Sequence, residues 1–76
     1  MTPYKNLSQK SGVKAYEILE EGIRVQFVSG EIYYYSNTIP GTEHIDTMKK
    51  LAEEGKGLAT YISQKIREKF DTKESK

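Results

Sequence analysis

The chain contains no cysteine, so it can build no disulfide framework, no thiolate nucleophile and no cysteine-based zinc site. Its single histidine, His44, excludes a histidine-rich metal site. An excess of either charge is missing too. Twelve Lys and Arg residues stand against eleven Asp and Glu for a formal net charge of +1, which removes the bulk electrostatic case for non-specific nucleic-acid binding. Long hydrophobic runs are also lacking: the longest is Ile32 to Tyr35, far short of the ~20 residues that cross a bilayer. Nothing near Met1, Thr2, Pro3 and Tyr4 resembles the apolar segment of a signal peptide. These absences lead to the expectation of a cytoplasmic protein with no membrane partner. In that setting the Asn6-Leu7-Ser8 sequon carries no weight.

What is there fits one small domain. A chain of 76 residues buries roughly 60% of the surface its unfolded form exposes, so the core must use most of its apolar residues and leaves little room for a deep active site. Residues 1–12 are polar apart from Tyr4 and Leu7, and are expected to form a flexible N-terminal arm. Residues 71–76 contain no apolar side chain and are expected to be a flexible tail. The domain itself is expected to span residues 13–70.

Within it, Val13 to Leu19 is rich in β-branched and aromatic residues and ends at Glu20-Glu21-Gly22, a turn signal with glycine available for positive φ. Ile23-Arg24-Val25-Gln26-Phe27 alternates apolar and polar strictly. After Ser29-Gly30, Ile32 to Tyr35 reads as a third strand. Beyond Asn37 the period becomes helical. Ile45, Met48, Leu51 and Ala52 share one stripe, Thr42 can cap the start and Gly55 can close the end, which predicts a helix from about Pro40 or Thr42 to Glu54. A second helix is predicted from about Gly57 to Phe70, with Leu58, Ile62 and Ile66 on its buried stripe and Lys65, Arg67 and Lys69 near its negative end. The expected fold is α+β, a three-stranded antiparallel meander followed by two helices packed on one face.

Five features, taken in order, carry a family resemblance: Val25-x-Phe27, Ser29-Gly30, Tyr33-x-Tyr35, Ile39-Pro40 at the start of a helix, and Gly55-Lys56-Gly57 followed by a helix. Together they resemble the KTSC domain, a short bacterial module named for the C-terminus of some lysyl-tRNA synthetases and also found as a free-standing protein. The resemblance covers roughly Val13 to Phe70. It departs from the pattern by one extra residue between Tyr35 and Pro40, and by Ala59 and Thr60 where the family has aromatic residues after the joint, with Tyr61 displaced. The resemblance implies a non-enzymatic binding module without a cofactor, with RNA or an RNA-associated protein as the partner suggested by the synthetase context.

The run Tyr33-Tyr34-Tyr35 must divide between two faces of a sheet, and the hairpin register decides how. A two-residue turn at Ser29-Gly30 pairs Phe27 with Ile32 and Val25 with Tyr34, leaving Tyr33 and Tyr35 beside Gln26 and Arg24 on the outer face as a stacking platform. A three-residue loop Val28-Ser29-Gly30, with Gly30 left-handed at a bulge, pairs Val25 with Tyr33 and Ile23 with Tyr35 and sends both tyrosines to the core face. The spacing of Val25, Phe27, Tyr33 and Tyr35 leans towards the second.

His44 falls at the border of the apolar arc in the first helical turn, with no nucleophile or carboxylate fixed beside it, so no catalytic residue is assigned. Lys65 and Lys69 lie beside the apolar arc, where their stems can cover the core edge or, with Lys56, Lys49 and Lys50, form a basic patch for phosphates. Glu53, Glu54 and Glu68 oppose that patch. Gly55-Lys56-Gly57 lacks the Walker pattern and reads as an interhelix joint. The candidate nucleic-acid-binding residues are therefore Tyr33, Tyr35, Arg24, Lys56, Lys65 and Lys69. The alternative is a protein-interaction module that uses the open sheet face or an edge strand.

Overall fold

In a computed structural model that describes residues 1–7, 11–66 and 69–74, the alternating segments form the strands their periodicity predicts. In chain order the strands are β1 (Thr2–Pro3), β2 (Val13–Leu19), β3 (Gly22–Phe27), β4 (Ile32–Ser36) and β5 (Thr72–Glu74). The helix α1 (Thr42–Glu54) and the short helix α2 (Leu58–Tyr61) lie between β4 and β5, and α2 widens into a π-helical turn over Ile62–Ile66. The sheet is antiparallel with the strand order β1-β2-β3-β4-β5. Ile23, Val25 and Tyr35 from the sheet and Ile45, Met48, Ala52, Leu58, Ile62 and Ile66 from the helical segment make one core cluster. The described residues are thus α+β, with five strands rather than the expected three.

The two additional strands come from the segments expected to be loose. Tyr4 draws the N-terminal residues in. Its amide donates to the Lys14 carbonyl (3.0 Å), its side chain is 6% exposed, and its hydroxyl accepts the Leu58 N–H (3.3 Å). The Leu7 amide also donates to the Gly55 carbonyl (2.8 Å). At the other end, the Asp71 amide donates to the Tyr34 carbonyl (2.8 Å), and Thr72–Glu74 pairs with Tyr34, Tyr33 and Ile32. Where the sequence leads to the expectation of a loose arm and a frayed tail, residues 1–7 and 71–74 are instead tied to the sheet and to Gly55 and Leu58 by these bonds, and the Gly12 carbonyl accepts the Val28 N–H (2.8 Å); residues 8–10 and 75–76 lie outside the described residues.

Three local readings are also corrected. Gly22 does not supply a positive φ at the β2–β3 turn but begins β3, where a Cβ would run into the Tyr35 carbonyl oxygen. Thr42 does not cap α1: Gly41, at φ 119°, occupies the cap position with no side-chain bond, and its carbonyl accepts the Ile45 N–H (3.0 Å). The second helix leaves α geometry at Ile62, and Lys69 and Phe70 are non-helical. Arg67 and Glu68 lie outside the described residues. Gly55 does close α1 as expected, in the left-handed region at φ 80°, with its N–H bonded to the Leu51 carbonyl (2.9 Å).

Candidate functional site

The β3–β4 hairpin takes the bulged register. Ile23 pairs with Tyr35, Arg24 with Tyr34, Val25 with Tyr33, and Gln26 with Ile32. The Phe27 amide donates to the Glu31 carbonyl (2.9 Å) and the Gly30 amide to the Phe27 carbonyl (2.8 Å), with Gly30 at φ 99°, a value that glycine adopts without steric cost. Since alternate strand residues face opposite sides, Tyr33 and Tyr35 share the face of Ile23 and Val25, and Arg24 and Tyr34 share the other.

The two tyrosines differ in depth. Tyr35 is 1% exposed, and burial pushes its phenol well above the usual tyrosine range, with the neighbouring Tyr33 adding to the shift. Tyr33 is half-buried and stands nearer the hairpin end. Its ring is nearly parallel to that of Tyr35 (14°, centroids 6.3 Å apart). Phe27 and Phe70 meet Tyr33 edge-on, at 86° and 5.4 Å and at 87° and 4.8 Å. Such offset and perpendicular pairs are the favoured geometries of aromatic quadrupoles.

These rings, with Ile62 and Ser63 of the π-helical turn, line a cleft of about 600 Å³ that opens to solvent. Its rim carries an ion pair. Lys73 Nζ lies 3.0 Å from Glu31 Oε2 and 5.4 Å from the Tyr33 ring centroid, within cation–π range. The hydrogen bond to Glu31, and then Tyr33, raise the Lys73 pKa. Backbone pairing places both charges: Lys73 is opposite Tyr33 in the β4–β5 ladder, and Glu31 closes the hairpin loop just before β4. The cleft can hold a flat apolar group against its rings and offer one carboxylate and one ammonium at its mouth.

The residues singled out from sequence are only partly brought together. Tyr33 and Tyr35 both line the cleft. Arg24 sits on the opposite face, where Nη1 binds Glu17 Oε1 (2.7 Å) while Nη2 and Nε bind the Glu74 carboxylate (2.9 and 3.2 Å). These bonds raise its pKa, that to Glu17 most. Lys65 is exposed on the π-helical turn and Lys69 is exposed next to Phe70, both in the stretch that forms one side of the cleft. Lys56 is exposed at the joint between α1 and α2, where Gly55 and Gly57 both have φ 80°. Lys49 is committed elsewhere, donating to the Leu19 carbonyl (2.8 Å). His44, at the apolar border as expected, has a partner the sequence did not reveal: its Nδ1 lies 2.7 Å from the Tyr61 hydroxyl.

Sequence reading missed Phe70, Glu31 and Lys73 as site residues. Phe70 was absorbed into a predicted helix, and Lys73 into a segment with no apolar residue to announce a strand. Among the described residues no group of three His, Asp or Glu side chains is placed to hold a metal ion, and no helix is long and apolar enough to cross a membrane. Comparison of the chain with family models, with curated proteins and with solved structures finds no match.

Proposed function

We propose that the chain is a non-enzymatic, cytoplasmic binding module of the KTSC type that binds single-stranded RNA through the aromatic cleft. The observation that carries this reading is the cleft itself: Phe27, Tyr33 and Phe70 gather at one end of the sheet, open to solvent, on a face otherwise occupied by core. Unpaired bases dock on aromatic side chains, and this contact tolerates any sequence because every base has a π-face. Lys65 and Lys69 are exposed along the segment beside the cleft and supply cations for the phosphates that flank a docked base. Arg24 has no part in this arrangement, because two carboxylates hold it on the other face.

Titration of a fluorescent single-stranded RNA at about 50 and about 200 mM salt tests the reading, since phosphate contacts weaken steeply over that range. Saturable binding at low salt is expected, with the salt slope flattened by Lys65→Ala combined with Lys69→Ala. Absence of saturable binding would overturn it.

A second reading has its own support at the sheet edge. β1 pairs only with Ala15 and Tyr16, so among the described residues Glu17, Ile18 and Leu19 have no strand partner on that side, and Ile18 is 40% exposed. An extended peptide could add there, with little dependence on salt.

A further inference from the structure

Resting on the RNA reading, we infer that the cleft selects guanine, recognised by the Glu31–Lys73 pair at its rim. Walls made of Phe27, Tyr33 and Phe70 complement a planar heterocycle. Selection among heterocycles falls to the two charges. A carboxylate only accepts hydrogen bonds and offers two oxygens, and an ammonium only donates and offers three N–H groups. Glu31 and Lys73 stand 3.0 Å apart with side chains 40% and 39% exposed, so each keeps hydrogen-bonding capacity beyond their mutual contact.

A base that fits must present two adjacent donors to the carboxylate and an acceptor to the ammonium. On its Watson–Crick edge guanine does this, with N1–H and the N2 amino group beside O6. Adenine and cytosine each place a donor beside an unprotonated ring nitrogen, which a carboxylate repels. Uracil offers one N–H between two carbonyls. A tryptophan side chain offers one N–H to Glu31 and nothing to Lys73. The pairing also compensates the net neutrality of the rim: a neutral base carrying both donors and an acceptor suits an ion pair better than a phosphate does, because a phosphate would face Glu31.

The backbone fixes where the two residues sit. Lys73 is held opposite Tyr33 by the β4–β5 ladder, and Glu31 is set by the Phe27–Glu31 hydrogen bond that closes the Gly30 loop. Their ion pair then brings the carboxylate and the ammonium together at the cleft mouth before a ligand arrives, which limits the ordering cost of binding.

The test is fluorescence anisotropy with the full chain and three short RNAs: all uridine, uridine with one central guanine, and the same with inosine, which lacks the N2 amino group. The guanine RNA is expected to bind about ten-fold more tightly than the uridine RNA, the discrimination typical of a bidentate base contact. Inosine should lose most of that gain, and the gap between the guanine and uridine RNAs should close in Glu31→Gln, whose exposed position leaves folding intact by circular dichroism. Equal binding of the guanine and uridine RNAs overturns the guanine assignment while leaving the RNA reading standing. So does a guanine preference that survives in Glu31→Gln. Binding of none of the three overturns both.

Discussion

Tyr35 shows how one residue can be placed in a binding motif by its sequence and in the core by its register. Its ring is enclosed by the helical layer, and its phenol is harder to ionise than in water because the burial that stabilises the neutral ring penalises the phenolate. The consequence is a pH dependence with a defined sign. Above about pH 10 an unfolded chain releases the Tyr35 proton while the folded chain keeps it, so the folded state is favoured less as pH rises, until the pH reaches the raised folded value. The loss amounts to about 1.4 kcal/mol by about pH 11 and is absent below about pH 9. Urea unfolding of the protein and of Tyr35→Phe at about pH 8 and about pH 11 measures it: the variant should lose less stability on going to high pH. Equal losses in the two proteins would mean that the Tyr35 hydroxyl reaches solvent.

Among the elements, β2, β3, β4 and α1 were legible because each carries its own periodicity: strict alternation in Ile23-Arg24-Val25-Gln26-Phe27, and a single apolar stripe through Ile45, Met48 and Ala52. The hairpin register was legible as one of two alternatives, since Gly30 can serve either loop and only long-range packing of Tyr33 and Tyr35 chooses between them. β1 and β5 were not legible. Strands of two and three residues hold no period, and what secures them comes from far along the chain: Tyr4 against Leu58, and Glu74 against Arg24. The cleft was half legible for the same reason, its tyrosines lying in a strong strand and its Lys73 in a weak one. Because β1 hangs on Tyr4, Tyr4→Ala should cost about 2–5 kcal/mol in urea unfolding, through lost packing and a Leu58 N–H left without its acceptor. A cost below about 1 kcal/mol would return residues 1–7 to the status of a dispensable arm.

At the scale of the whole molecule, a domain this small cannot afford many apolar side chains outside its core, so aromatic rings at an open cleft need a reason. Phe70 is the sharpest case. It sits between the π-helical turn and β5, is half-buried, and packs against the core cluster from outside through Tyr33. Phe27 also lines the cleft, but it ends the central strand β3, where it pairs with Val13. Truncating the two should therefore have separable effects. Phe27→Ala removes the half-buried ring that packs on Tyr33 from the end of the central strand and is expected to cost about 2–3 kcal/mol, a large share of a small domain's stability. Phe70→Ala opens a wall that solvent already reaches, and is expected to cost less than half as much while weakening RNA by about 1–3 kcal/mol for the base that loses its ring contact. Paired measurements of urea midpoint and RNA affinity decide between a ring kept for binding and one kept for packing. A Phe70→Ala protein with unchanged RNA affinity and a large loss of stability would make Phe70 a core residue in an open position, and would move the binding surface away from the cleft.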